Sequence, residues 1–126
     1  MRLRVTPTGL YTYPDVMVIC GDVEYAAEQE DTVLNPTVIV EVLSPSTQDY
    51  DRGRKFQQYR TLPSLIDCLF VAQDRPHVEH WTRQSSNSWL LVEFSDLAQS
   101  IPLASISCIL PLAEVYDKIE WTTAAQ

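Results

Sequence analysis

Residues 37–43 read Thr-Val-Ile-Val-Glu-Val-Leu, an almost unbroken apolar run with one carboxylate, Glu41, between Val40 and Val42. A second such run, Ile-Asp-Cys-Leu-Phe-Val-Ala, occupies residues 66–72. Strands that are apolar at nearly every position are covered on both faces. The segment between them has helical character, and two strands joined by a helical crossover are expected to run parallel. This pair constrains the fold more than any other feature. It predicts an α/β to α+β architecture, a mixed sheet flanked by helices, with the 37–43 strand at its centre.

The remaining segments fit around that pair. Met1–Val5 reads as a short strand, residues 6–14 as a Pro- and Gly-bearing turn region, and Asp15–Cys20 as a strand. Residues 21–36 are polar and acidic and are expected to be a surface loop. Ser46 lies three residues before Asp49, a start resembling a capping box, and Pro63 ends the helix that follows. On that helix Asp51, Lys55 and Tyr59 recur at i, i+4 and i+8 and share a face, with Phe56 beside it. Residues 77–84 and 88–95 form a predicted hairpin across the turn Ser85-Ser-Asn-Ser88. Residues 111–119 predict a short closing helix. One domain spanning 1–126 is the expected organisation.

Glu41 is the anomaly in this pattern. An unpaired carboxylate inside an apolar strand costs several kcal/mol to bury. It is expected there only at a strand end facing water or an arginine, or at a site that pairs it or binds it to a metal. Asp15 opens the preceding strand after Pro14, ordinary turn chemistry when taken alone. If the two strands are neighbours, both carboxylates converge at one place. Two carboxylate ligands are what Mg²⁺ takes from a protein, with water or phosphate oxygens completing its shell. Lys55, on the helix directly after the Glu41 strand, can fold back over that strand's end. Carboxylates, a divalent cation and a lysine together suit phosphodiester hydrolysis. The plain alternative for Asp51 and Lys55 is a surface ion pair worth some tenths of a kcal/mol.

Composition narrows the other options. Asp and Glu number 17 against 9 Lys and Arg, for a formal charge of -8. That argues against holding nucleic acid through overall charge, while leaving room for a local basic surface. Arg52, Arg54 and Arg60 form the compact basic cluster, on or beside the Lys55 helix, and are the expected phosphate-backbone contacts. Cys20, Cys68 and Cys108 are odd in number and far apart, which fits reduced thiols in a cytoplasmic protein. The N-terminus has no signal-peptide h-region, and the apolar stretch 101–113 is too short to span a bilayer and is interrupted by Pro102 and Pro111. His77 and His80, three apart in a strand, face opposite sides and make a zinc pair improbable. Ser44 and Ser46 have no nearby histidine to form a nucleophilic triad. Trp81, Trp89 and Trp121 are expected to pack in the core or an interface.

The segments Tyr13-Pro-Asp-Val-Met-Val18, Val38-Ile-Val-Glu-Val-Leu-Ser-Pro-Ser-Thr47 and Asp49-Tyr-Asp-Arg-Gly-Arg-Lys-Phe-Gln-Gln-Tyr-Arg-Thr-Leu-Pro-Ser-Leu65 resemble the signature segments of the Uma-type restriction endonuclease family. That family lies within the PD-(D/E)XK nuclease superfamily, and the resemblance runs from about Arg2 to Ile119. It implies a restriction-endonuclease-like fold and a metal-dependent endonuclease acting on nucleic acid, DNA being the expected substrate. It implies that Asp15 and Glu41 are catalytic and hold Mg²⁺, with Mn²⁺ as a substitute. Position 43, the superfamily's lysine slot, is Leu43 here, and the resemblance implies that Lys55 takes its place. Tyr59 matches the tyrosine that follows, and Asp51 and Tyr59 are expected to support the site. The family's N-terminal helix is expected to be missing, since the chain begins at the strand that follows it. Apolar sheet surface left open would then favour a homodimer. The contrasting expectation is a non-catalytic binding or assembly module that keeps the nuclease fold.

Overall fold

β6 (Val38–Leu43) and β7 (Asp67–Ala72) pair in parallel, in register from Val38 opposite Asp67 to Leu43 opposite Ala72. The crossover between them is α1 (Gln48–Tyr59). The computed structural model describes residues 1–27, 29–45 and 48–117, without the side chains of residue 30 and residues 48–51. Every residue of β7 is buried, as its apolar run requires. β3 (Val16–Val18) pairs antiparallel with the other side of β6, and β8 (Val78–Ser85) and β9 (Ser88–Phe94) extend the sheet antiparallel beyond β7. The five-stranded order is β3-β6-β7-β8-β9, so β7 is the middle strand and β6 lies next to an edge. The expectation of a central 37–43 strand is corrected accordingly: Val40 is only partly buried and Val42 is exposed, while β7 carries the uninterrupted core.

Two apolar layers cover this sheet. On one face Ile39, Leu43, Cys68 and Phe70 pack against Phe56 and Tyr59 of α1 and against Leu3 and Val5. On the other, Val38, Leu69, Val71 and Val78 pack against Ile101, Leu103, Leu112 and Tyr116. Leu3 and Val5 belong to β1 (Arg2–Val5), which joins β2 (Leu10–Thr12), β4 (Tyr25–Ala26) and β5 (Gln29–Val33) in a second sheet ordered β2-β1-β5-β4.

Three segments depart from the sequence reading. Residues 10–12, expected within a turn region, pair with β1 around a turn whose Gly9 adopts φ 81°. That left-handed value suits glycine because it has no Cβ. Residues 21–36, expected as a loop, contain β4 and β5. Tertiary pairing overrides their polar composition: β5 lies parallel to β1, Arg2 Nε donates to Thr32 Oγ1 at 2.9 Å, and Val33 is fully buried. Residues 100–111 form an unexpected hairpin of β10 (Ser100–Leu103) and β11 (Cys108–Pro111), joined by a 3₁₀ turn at Ala104–Ile106. α2 follows as Leu112–Val115, one turn long. The strand expected at 15–20 is observed at Val16–Val18. Ser46 and Trp121 lie outside the described residues.

Arg83 fixes the far end of α1. Its guanidinium donates to the carbonyls of Leu65 (2.7 Å), Leu62 (2.8 Å), Ser86 (2.9 Å) and Arg60 (3.3 Å), and it lies 4.4 Å from the Trp89 ring centre. One planar fork thus holds carbonyls that follow the helix and ties them to the β8–β9 hairpin. A lysine has a single ammonium and cannot reproduce the fork. We expect Arg83→Lys to lower unfolding free energy by about 2 kcal/mol, on the scale of hydrogen bonds from a charged donor. Urea denaturation would show this as a lower midpoint at unchanged slope.

Candidate active site

The pleat sets the site's first geometry. Ile39, Glu41 and Leu43 alternate with Val38, Val40 and Val42, so Glu41 faces α1 with the core residues Ile39 and Leu43. Val16 lies opposite Val40, and one step further along the two strands Asp15 meets Glu41. The contact is reciprocal. The Asp15 backbone N–H donates to Glu41 Oε1 at 3.3 Å, and the Val42 N–H donates to Asp15 Oδ2 at 2.7 Å. Asp15 is exposed, whereas Glu41 is 1% exposed.

Helix α1 completes the surroundings. Arg52, Lys55, Phe56 and Tyr59 stand at i, i+3, i+4 and i+7 and look down on the sheet. The Tyr59 hydroxyl, fully buried, donates to Glu41 Oε2. Lys55 Nζ lies 3.4 Å from the same oxygen, with about a third of its side chain exposed. Phe56 stacks on Trp81 at 4.5 Å between ring centres and meets Phe70 edge-on at 6.3 Å, which sets the height of the helix. Leu43 shares Glu41's face and is buried in the apolar cluster, so the cation nearest the acid comes from α1. Asp51's side chain lies outside the described residues.

Burial pushes the Glu41 carboxyl above its ordinary range, and the neighbouring Asp15 adds to the rise. The Tyr59 hydrogen bond and the Lys55 charge oppose it without cancelling it. Burial and the adjacent acid also push Tyr59 upward, which keeps its hydroxyl a donor. Glu41 is thus a hard oxygen donor held short of counter-charge. Two carboxylates with no nitrogen or sulfur donor suit Mg²⁺, and a cation between them would relieve the desolvation that raises Glu41.

A second acid was missed by the sequence reading. Glu79 lies on the same sheet face, two strands beyond Glu41, in the row Glu41–Phe70–Glu79–Glu93. It is buried, and its Oε2 lies 2.5 Å from an Arg52 nitrogen while the Trp81 indole donates to its Oε1 at 3.3 Å. The signal was present in the sequence: a lone acid at an inward position of a strand, like Glu41, with an arginine on the facing helix. Arg52, expected at a phosphate, is therefore engaged across the sheet. Arg54 and Arg60 are exposed, and Arg60 lies 5.7 Å from the Phe56 ring centre. His77, Glu79 and Glu93 bring three possible ligand atoms within 4.8 Å of one another, a cluster that does not include Asp15 or Glu41.

The model of a family described as "Putative restriction endonuclease", Uma2, matches residues 1–112. The chain belongs to the Uma2 family. Among curated proteins, this Uma2 chain is 40% identical to an uncharacterized protein of Synechocystis sp. over 93 residues, which are 74% of the chain and 52% of that protein. It is 32% identical to a second over 116 residues, 92% of the chain and 60% of that protein. The chain thus spans between half and three-fifths of the length of these relatives. A crystal structure described as a putative nuclease belonging to DUF820, from Anabaena variabilis, superposes with a TM-score of 0.69 at 15% identity, covering 91% of this chain and 64% of that one. That likeness is one of fold, and it agrees with the mixed-sheet, nuclease-like architecture expected for an Uma2 member. Among the described residues no helix is long and apolar enough to cross a membrane.

The Glu41 environment has a stability consequence. Its folded-state pKa lies above the ordinary 4.5, so the folded chain holds that proton more tightly than the unfolded one. Glu41 therefore favours folding below the ordinary carboxylate range and opposes it once pH rises through the folded value. Glutamine is neutral throughout. In metal-free buffer, Glu41→Gln is expected to raise the thermal midpoint relative to wild type at pH 8, with the advantage disappearing towards pH 4. Thermal melts across that range measure it.

Proposed function

We propose that this chain is a divalent-metal-dependent endonuclease that hydrolyses phosphodiester bonds of nucleic acid, with DNA as its substrate. The observation that supports this most is the meeting of Asp15, Glu41, Lys55 and Tyr59 on one sheet face. Asp15 and Glu41 would hold Mg²⁺, or Mn²⁺ in its place. Bound there, the ion supplies positive charge against the negative charge that builds on the scissile phosphate. Lys55, within reach of Glu41 and partly open to solvent, orients the attacking water and donates to the phosphate oxygens. Tyr59 holds Glu41 in one orientation through Oε2 and leaves Oε1, which accepts the Asp15 backbone N–H, as the oxygen nearer Asp15. Arg54 and Arg60 contact the phosphate backbone at the exposed side of α1, with Arg52 joining them from its place at Glu79. Tyr13 and Val16, exposed beside Asp15, are apolar surface that a second copy would cover in a homodimer.

The direct test is cleavage of single- and double-stranded DNA and of RNA by purified protein with Mg²⁺ or Mn²⁺. Wild type should cut DNA, and Glu41→Gln and Lys55→Ala should each lose at least ~100-fold, the loss typical of removing a positioned electrostatic group. Equal cleavage by all three proteins would assign the activity to a contaminant or another site. No cleavage by any, with DNA still bound, would favour a non-catalytic binding module.

A further inference from the structure

The outward face of the second sheet carries two arginines set among neutral groups. Along β1, Leu3 and Val5 point into the core, so Arg2 and Arg4 share the opposite face and are half-buried there. β2 runs antiparallel beside them, with Tyr11 opposite Arg4. The guanidinium carbons of Arg2 and Arg4 lie 4.6 Å and 5.2 Å from the centre of the Tyr11 ring. Arg4 Nη1 donates to the Tyr11 hydroxyl at 2.9 Å, and Arg2 Nε donates to Thr32 Oγ1 at 2.9 Å. Thr32 in turn donates to Asp31 at 3.2 Å, so that acid is one group removed from Arg2. Arg4 Nε is buried without an acceptor. Other cations of the chain are matched to acids: Arg52 to Glu79, Lys55 to Glu41 and Arg75 to Asp74.

A guanidinium stays charged at any working pH, so the sign of this face does not depend on its surroundings. Two arginines held against a tyrosine, in a chain of formal charge -8, are complementary to an anion from outside. Their spacing indicates which anion. Two positions along one strand are about 6.8 Å apart. That is close to the separation of consecutive phosphates along an extended nucleic-acid strand, and each planar fork fits phosphate oxygens. Tyr11 is 41% exposed, so the clamp stands at the surface. Its place in the fold is also suitable. Asp15 follows Tyr11 by four residues, which limits the separation of their Cα atoms to about 14 Å. The β1–β2 turn also touches α1, where Thr8 Oγ1 donates to Gln58 Oε1, one helical turn beyond Arg54.

We propose that Arg2 and Arg4, clamped on Tyr11, hold two consecutive phosphates of the nucleic-acid strand that runs outward from the Asp15–Glu41 centre. They are positioning residues: they fix the register of the strand and read no sequence. The inference rests on the nuclease reading given above.

The test is the salt dependence of DNA binding by the full chain, measured by fluorescence anisotropy of labelled single- and double-stranded DNA in Ca²⁺ buffer. Each neutralised phosphate contributes about 0.7 to the slope of log K against log salt on single strands and about 0.9 on a duplex. The double variant Arg2→Gln, Arg4→Gln should bind at least ~tenfold more weakly at low salt and lose about 1.4 of slope on single strands, or about 1.8 on a duplex. Each single variant should lose half of that, and the single variants carry the test if the double variant loses its cooperative melt. Arg2→Lys with Arg4→Lys keeps both charges and should keep the slope. Arg75→Gln removes a charge from a surface pair elsewhere and should bind as wild type does. The proposal is overturned if folded Gln variants keep the wild-type slope, or if Arg75→Gln lowers it as much as they do. Wild type that binds and cuts DNA beside unchanged Gln variants removes this proposal alone. Wild type that neither binds nor cuts DNA removes the nuclease reading with it.

Discussion

One buried carboxylate organises this molecule. Glu41 sits in the sheet with the backbone N–H of exposed Asp15, just before β3, and a hydroxyl and an ammonium from α1. Each contact requires a larger feature of the fold. The Asp15 contact requires β3 to pair with β6 in its observed register. The Tyr59 and Lys55 contacts require α1 to cross back over β6, which the parallel β6–β7 connection enforces. The Phe56–Trp81 stack and the Arg83 fork then hold the helix at the correct height and terminate it. Burying a charge costs several kcal/mol before its partners offset it. A chain that keeps this acid in its core gives up stability at neutral pH for a hard oxygen donor in a fixed place.

The two faces of the main sheet have different chemistry for the same geometric reason. Alternation along each strand sends Glu41 and Glu79 towards α1 and His80 towards the β10–β11 hairpin. Arg52 and Lys55, three residues apart on α1, each reach an acid on a different strand, so the helix lies across the sheet with a cation above each. On the opposite face Asp67 binds three side-chain donors and links the β7–β8 pair to the hairpin. The acids of this chain are thus of several kinds, although its overall charge of -8 treats them alike.

Much of the fold was legible because its strongest signals are local. The runs at 37–43 and 66–72, the helix between them and the hairpin at 77–95 appear where periodicity places them. The meeting of Asp15 and Glu41 needed only the inference that their strands are neighbours. What was hidden depends on distant partners. Residues 29–33 are Gln-Glu-Asp-Thr-Val, in which only Thr32 and Val33 favour a strand, and they form β5 by pairing with the edge of β1. The hairpin at 100–111 is irregular in sequence, with Pro102 and Pro111, and is held by its packing on Leu69, Val71 and Val78. Glu79 could have been found by the argument applied to Glu41. Ser105's bond to Asp67 spans 38 residues, and nothing in the local sequence announces it.

The central claim is that Asp15 and Glu41 form the divalent-cation site. Among the described residues a second cluster competes for that role, since His77, Glu79 and Glu93 also gather ligand atoms within 4.8 Å. Paramagnetic broadening of ¹³C side-chain carboxyl signals by substoichiometric Mn²⁺ separates them in one titration. The account predicts that Asp15 and Glu41 broaden first, with Glu79 and Glu93 following only at higher metal. Broadening of Glu79 and Glu93 first, with Asp15 and Glu41 unaffected, would contradict it.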